Sequence, residues 1–270
     1  MKTIGFIDLD GHRLRADPAR DACFRVVQRD VDMHEYEEGS DLAARETVHR
    51  HMSNEITSLD IAAQCLIEFP DAPWELRMEL ARQCWDESRH VMVLHRRLIE
   101  MGGQKGEFPI ATFEWNITCA LDSIAARLAT QNRTFEAGAM DVVKSLARAF
   151  HGGGDEETSA VLDGILADEI QHVRFANRWI KRLARDDRRV LLKMAMAIRF
   201  LAEVNEKLAT RDGELNAVGK RLKDARDTVP AVNIEDRKLA EFSEEEIFEI
   251  LRQAGFKSLV ADDQLREGTP

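Results

Sequence analysis

The chain has 270 residues, 44 % of them hydrophobic, and 38 basic against 49 acidic residues give it a formal net charge of −11. These values are typical of a soluble acidic protein with one main domain, and the acidic balance excludes a nucleic-acid binder, which needs a basic face for phosphate contacts. No run free of Asp, Glu, Lys and Arg exceeds seven residues, whereas a membrane helix needs about 20 apolar residues, so membrane spanning is excluded.

The four cysteines stand at positions 23, 65, 84 and 119 and form no Cys-x-x-Cys pair. This spacing excludes a zinc ribbon and a thioredoxin-like site, and we expect buried thiols in a reducing compartment. The apolar patch between Met1 and Asp8 is too short for a secretory signal. A cytoplasmic location is therefore expected.

Residues 1–40 are expected to form a short N-terminal arm, either a strand or an extended segment. A first helix follows, because apolar residues recur at helical spacing from Asp41 to Phe69 and the pattern stops at Pro70. A second helix is predicted from Asp71, its expected N-cap, to the glycines that begin at Gly102.

Two more helices complete the central region. A third apolar stripe begins near Leu121 and ends at the glycines 152–154, and Asp155 is the expected N-cap of a fourth helix that runs to about Leu183. Four helices of roughly 30 residues are each about 45 Å long at ~1.5 Å per residue. The pattern predicts an all-α fold with a four-helix bundle over residues 41–185.

The remaining residues, 186–270, are expected to form a C-terminal helical extension. A helix is predicted over about 187–208, followed by a polar stretch over 209–227. A last helix is predicted from Ser243 to Gln253, because Ser243 and Glu246 stand at the spacing of a capping box.

Acidic residues interrupt the apolar stripes of all four central helices. These core acids are Glu55, Glu87, Glu136 and Glu169. The second and the fourth acid each begin a Glu-x-x-His motif, which ends at His90 and at His172. The first two acids are 32 residues apart and the last two are 33 apart, so the pattern indicates a duplicated helix hairpin.

Four acids and two imidazoles directed at one bundle axis need a common compensating charge, since burying an unpaired carboxylate costs several kcal/mol. Two divalent cations supply that charge. Carboxylates with imidazole suit iron or manganese, and helix-bundle metal sites use this arrangement, in which two helices supply one Glu each and two supply Glu-x-x-His. The predicted ligands are therefore Glu55, Glu87, His90, Glu136, Glu169 and His172.

An alternative interpretation is that each Glu-x-x-His is a solvated ion pair, as a single copy on a helix usually is. Two copies at nearly equal offset from a core Glu favour the metal site. Asp86 and Asp168 each precede a ligating Glu, and antiparallel helices would let each Asp accept from the His of the other motif, with Arg89 in the same outer group. Surface charges are the alternative for both Asp residues. His51 fits an extra ligand, a proton shuttle or a partly exposed histidine.

The paired pattern resembles the ferritin-like di-iron carboxylate proteins. Several segments, from about His49 to Leu183, resemble more specifically the ferritin-like family called domain of unknown function 455. They are Phe69–Glu75 (FPDAPWE), Asp86–His90 (DESRH), Phe135–Ala137 (FEA), Asp168-Glu169 with His172, and Asn177–Trp179 (NRW). The resemblance implies a di-iron fold and an oxidative role, and it supplies no substrate.

We expect a di-iron oxidase or oxygenase that activates O2 to oxidise a small organic substrate, with electrons from a reductase. The C-terminal extension favours this function, because added structure on a metal bundle commonly builds a pocket. Two alternatives are a ferroxidase or iron-handling protein, and a manganese or metal-free scaffold. A homodimer is compatible with each. The predicted pocket residues are Leu59, Gln83, Asn132, Met140 and Ile165.

Overall fold

The computed structural model describes residues 5–9, 11–27, 36–211 and 232–253, and most of them are helical. The helices are α1 (Asp41–Glu68), α2 (Trp74–Glu100), α3 (Phe113–Thr118), α4 (Ile124–Thr130), a π-helical segment (Gln131–Glu136), α5 (Ala137–Gly152), α6 (Glu156–Asp186), α7 (Arg189–Arg211), α8 (Ile234–Leu239) and α9 (Glu244–Gln253). None of the described helices combines the length and the apolarity that a membrane crossing requires.

The N-terminal arm contains a hairpin of β1 (Phe6–Leu9) and β2 (His12–Arg15), which pair antiparallel. Leu9 and Leu14 pack with Ile117, Leu201 and Val204. The strand alternative for this arm is therefore the one observed. A second pair, β3 (Val26–Val27) and β4 (Ile110–Ala111), is parallel and ties the arm to the loop after α2.

Local signals set the ends of α1 and α2. The Ser40 side chain accepts a hydrogen bond from the backbone N–H of Ala43 at the start of α1, and α1 ends just before Phe69. The prediction that Asp71 caps α2 is wrong. Pro73 occupies the N-cap position, and no side chain caps this end; proline cannot cap because its side chain has no hydrogen-bond acceptor.

The predicted third helix is a continuous run of α4, the π-helical segment and α5, and it ends at Gly152 as expected. The sequence pattern did not predict the π-helical turn. Asp155 caps α6 as predicted, since its side chain accepts from the backbone N–H of Thr158 at 2.9 Å.

The long helices pack in pairs, α1 against α2 and α5 against α6, and α2 also contacts α6. Their apolar residues form two large clusters. On α1, Glu55 lies between Met52 of the first cluster and Ile61 of the second, and the acids of the other long helices also fall between residues of the two clusters. The acidic residues therefore meet in a polar layer within an otherwise apolar core.

The C-terminal segment from 232 to 253 covers one end of the first cluster. Ser243 and Glu246 form the predicted capping box, each bonding the other's backbone N–H. Arg237 is buried and donates to the carbonyl of Ala137 at 2.9 Å and to the carboxylate of Asp141. Most of the predicted polar stretch, from 212 on, lies outside the described residues.

The cysteines are only partly as predicted. Cys65 and Cys119 are buried and Cys84 is half-buried, but Cys23 is exposed, so the prediction of a buried thiol is wrong there. Cys23 lies in a segment with few apolar residues, between the hairpin and β3. All four thiols are free.

Arg127 holds the start of α4 against the end of α1. Its buried guanidinium donates to the carboxylate of Glu68 and to the carbonyls of Leu121 and Cys119, at 3.0 and 3.3 Å. Arg127→Ala should therefore lower the free energy of unfolding by roughly 1–3 kcal/mol in denaturant titrations, because it leaves backbone carbonyls without their donor, while Glu68 keeps its bond to Arg15. Arg199→Ala, at an exposed arginine, should cost less than about 0.5 kcal/mol, and equal losses would contradict the prediction.

Candidate metal centre

The six predicted ligands come together in the polar layer of the core. Glu55 comes from α1, Glu87 and His90 from α2, Glu136 from the last position of the π-helical segment, and the remaining two, Glu169 and His172, from α6. All six side chains are buried, and Glu87 is fully inaccessible to solvent. The structure thus brings four carboxylates and two imidazoles from four helical segments together at one point.

The six residues divide into two overlapping groups of four. Within each group the possible ligand atoms lie within 4.8 Å of one another. The first group is Glu55, Glu87, His90 and Glu169, and the second is Glu87, Glu136, Glu169 and His172. Glu87 and Glu169 belong to both groups, so the two groups overlap in one cluster that could hold a metal ion.

Both imidazoles turn Nδ1 toward the acids. His90 Nδ1 lies 3.2 Å from Glu55 and 3.1 Å from Glu87. His172 Nδ1 lies 3.4 Å from Glu87 and 3.6 Å from Glu169, and it makes no hydrogen bond although it is buried. A buried nitrogen that faces carboxylate oxygens without a hydrogen bond is placed as a metal ligand would be, so the donor set fits a cation.

The outer imidazole nitrogens are held by the two Asp residues, in the crossed arrangement that the sequence predicts. His90 Nε2 lies 3.2 Å from Asp168, and His172 Nε2 lies 3.4 Å from Asp86. Arg89 donates to both Asp carboxylates. Such carboxylates fix the ring orientation of a ligating histidine and leave its inner nitrogen free to bind.

Two amides hold Glu136. Gln83 Nε2 donates to one carboxylate oxygen at 2.5 Å, Asn132 Nδ2 donates to the other at 2.8 Å, and Asn132 also donates to Gln83. Gln83 Nε2 also donates a hydrogen bond to the carboxylate of Glu87, at 3.1 Å. The sequence predicts a substrate pocket for this pair, and the structure places both amides directly on the acids.

The same two amides line one side of a small cavity, which has space for one water molecule. Leu59, Met140 and Ile165 do not line it, and Met140 and Ile165 are fully buried in the first apolar cluster. The cavity residues are Ile61, Ala62, Cys65, Leu80, Gln83, Arg127, Leu128, Gln131 and Asn132.

Sequence reasoning missed the π-helical segment, which carries both Asn132 and Glu136. One wider turn rotates the residues that follow it relative to a regular α-helix, and such turns occur frequently at functional sites. The hydroxyl of Thr134 donates to the carbonyl of Ala129, five residues earlier. No residue type in Gln131–Glu136 marks this turn in the sequence, because the turn depends on packing between helices.

His51 lies beside the first group. Its Nε2 is buried and lies 3.0 Å from the carboxylate of Glu55, but the two groups are not oriented for a hydrogen bond. His51 is buried, so the partly exposed histidine that the sequence allowed is not what the structure shows, and the roles of extra ligand and proton shuttle stay predictions. Glu55 is therefore bordered by two histidines, whereas Glu136 is bordered by two amides.

This difference separates the pKa values of the two acids. Burial, together with the charge of Glu169, raises the pKa of Glu136 to about 8, and burial also raises the pKa of Glu87 well above its usual value. Burial opposes the charge of Glu55 too, but the contacts with His51 and His90 lower its pKa. Burial likewise opposes the charge of His90, yet bonds to Glu55 and Glu87 raise its pKa to about 11.

The family model described as Protein of unknown function (DUF455) matches residues 3–248 of the chain. The chain belongs to this family. No curated protein and no solved structure matches the chain significantly.

Cation binding should release protons. With pKa values raised to about 8 and about 11, Glu136 and His90 are mostly protonated near pH 7 in the cation-free protein, and metal ligands must be deprotonated. Calorimetric titration with Mn²⁺ in buffers of different ionisation enthalpy should therefore give different heats, and the affinity should rise with pH. Glu136→Gln, which has no acid proton at that position, should release fewer protons. Heats independent of the buffer would contradict the prediction.

Proposed function

We propose that this member of the DUF455 family is a ferritin-like di-iron oxidase or oxygenase that activates O2 to oxidise a small organic substrate. The observation that carries the proposal is the convergence of four buried carboxylates and two inward-facing imidazoles as two overlapping groups. Four ionised carboxylates balance the charge of two divalent cations, which explains why so many acids are tolerated in one core.

The arrangement of the helices supports the ferritin-like part of the proposal. Three long helices, α1, α2 and α6, and the run from α4 through α5 each contribute one carboxylate, and a Glu-x-x-His motif lies on α2 and on α6. Bundles that bind two iron or manganese ions distribute their ligands over four helices in this way. We infer a four-helix bundle whose axis passes through the polar layer.

The two groups suggest how the ligands would be shared. Glu55 and His90 would help to hold one cation, Glu136 and His172 the other, and Glu87 and Glu169, the acids common to both groups, would help to hold both. Iron in such a site supplies the electrons that O2 reduction requires, and a reductase or another donor would replace them.

The surrounding residues orient these ligands and exclude water. Asp86 and Asp168 fix the two imidazoles, and Arg89 links these carboxylates to each other. Gln83 and Asn132 hold Glu136 through both of its oxygens. The apolar clusters on either side of the polar layer keep bulk water away from it, which strengthens the electrostatic interactions inside.

We place the substrate on the side of the small cavity, because this cavity reaches the amides that hold Glu136. The cavity has space for one water-sized molecule. An organic substrate would enter only if the apolar side chains that line the cavity move apart. The amides would then orient a polar group of the substrate.

The proposal predicts a fast reaction with O2. Protein loaded anaerobically with Fe(II) and mixed with O2 should consume O2 faster than free Fe(II), as followed by an oxygen electrode and by stopped-flow absorption. Glu136→Ala should lose most of this acceleration, because it removes a ligand of the second group, Glu87, Glu136, Glu169 and His172, and leaves the first group complete. Glu235→Ala, at an exposed acid on α8, should react like the wild type.

The alternatives have distinct outcomes. Oxidised iron that accumulates in a large assembly would support a ferroxidase or iron store. Purified protein that contains manganese, or no metal, and does not consume O2 would support the scaffold alternative. A wild-type rate no faster than that of free iron, or equal to that of Glu136→Ala, would contradict the oxidase proposal.

A further inference from the structure

Helix α2 presents a long apolar stripe on the face opposite its ligands. Large side chains occur at every seventh position, at Met78, Trp85, Met92 and Ile99, and Trp74 begins the stripe. Trp85 is 66 % exposed, Met92 70 % and Trp74 65 %, so three of the largest apolar groups of the helix face solvent. A row of large exposed apolar side chains along one helix face is typical of a protein interface.

The residues between the large ones complete a coiled-coil pattern. Trp74, Ala81, Ser88 and His95 alternate with them at three- and four-residue spacing. The 3-4 alternation extends over 26 residues, about 38 Å of helix. Such a pattern forms the seam along which a second helix packs at a shallow angle.

We propose that the stripe is the interface of a homodimer, in which α2 packs antiparallel against α2 of a second copy about a two-fold axis near Asp86 and Glu87. In an antiparallel pair, each residue of one seven-residue series faces a residue of the other series on the partner helix. The first series is Met78, Trp85, Met92 and Ile99, and the second is Trp74, Ala81, Ser88 and His95. Trp85 then faces Ser88 of the second copy and Met92 faces Ala81, so large side chains meet small ones in the middle of the seam, as packing to the density of a protein interior requires. Trp74 and Ile99 face each other at its two ends.

The parallel arrangement fits these side chains less well. It would place Trp85 against Trp85 of the second copy and Met92 against Met92, while Ala81 and Ser88 would face their own equivalents across a gap. Alternating crowding and voids along one seam is unfavourable, because both overpacking and cavities destabilise a packed interface.

Charge supports the antiparallel pair as well. A row of charged residues at seven-residue spacing runs beside the stripe, from Glu75 through Arg82 and Arg89 to Arg96. Antiparallel packing places Glu75 opposite Arg96 of the second copy at both ends of the seam. The same register places Arg82 opposite Arg89 near the axis, where Asp86 of each chain contacts both arginines of its own chain and offsets their charge.

The first test is the oligomeric state of the full chain by sedimentation velocity over a wide range of concentration. The wild type should sediment as a dimer of the 30.7 kDa chain, and Trp85→Glu and Met92→Glu should each shift it to the monomer. Leu192→Glu, the same change at a 62 % exposed leucine of α7, should remain dimeric. Circular dichroism melting of each variant establishes that it is folded.

Cysteine cross-linking tests the orientation, in a Cys23→Ser parent that lacks the exposed thiol. Ala81→Cys combined with Met92→Cys should give a covalent dimer under mild oxidation, since the two positions face each other across the seam. Ala81→Cys alone should not, because its equivalent would lie about 16 Å away along the axis, beyond disulfide reach.

Three outcomes would overturn the proposal. A wild type that is monomeric at all concentrations would show that the stripe does not pair with a second copy, whatever other partner it binds. A dimer that persists in both glutamate variants would place the interface elsewhere. A covalent dimer from Ala81→Cys alone would show parallel pairing.

Discussion

The mutual repulsion of four carboxylates buried at one point is the constraint around which the rest of this structure is organised. Each acid is cut off from water, so its charge must be balanced inside the core by protons, by imidazolium or by bound cations. The opposite pKa shifts of Glu55 and Glu136 are a direct consequence, because histidines beside Glu55 offset its burial, whereas burial and the charge of Glu169 raise the pKa of Glu136. Two divalent cations would remove the repulsion, which is why the cluster is interpreted as a metal centre.

The support around the ligands follows from the same constraint. The Asp–His contacts cross between α2 and α6, so each helix orients the imidazole of the other and the two Glu-x-x-His motifs act as one unit. The π-helical segment places Asn132 and Glu136 together at the end of one irregular turn. The apolar stripe on the outer face of α2 lies behind these ligands, so the proposed dimer would also cover the helix that supplies Glu87 and His90.

Much of this could be read from the sequence, since helical spacing identifies which residues face the core. An acid in an apolar stripe, repeated with Glu-x-x-His at nearly equal offsets, was enough to group Glu55 with residues more than 100 positions away. Periodicity does not show which side of a core a residue occupies. The sequence therefore could not reveal that Met140 and Ile165 lie in an apolar cluster away from the cavity. The N-cap of α2 at Pro73 instead of Asp71, and the π-helical turn, leave no clear signal in the residue types.

The central claim is that the six side chains hold two cations. Crystals of the protein loaded with Fe(II) under anaerobic conditions, measured on both sides of the iron absorption edge, test it most directly. The account predicts two anomalous peaks among Glu55, Glu87, His90, Glu136, Glu169 and His172, about 3.5–4 Å apart, the usual separation in two-metal sites. Iron bound elsewhere, or a cluster that stays free of iron while its acids keep their positions, would contradict it.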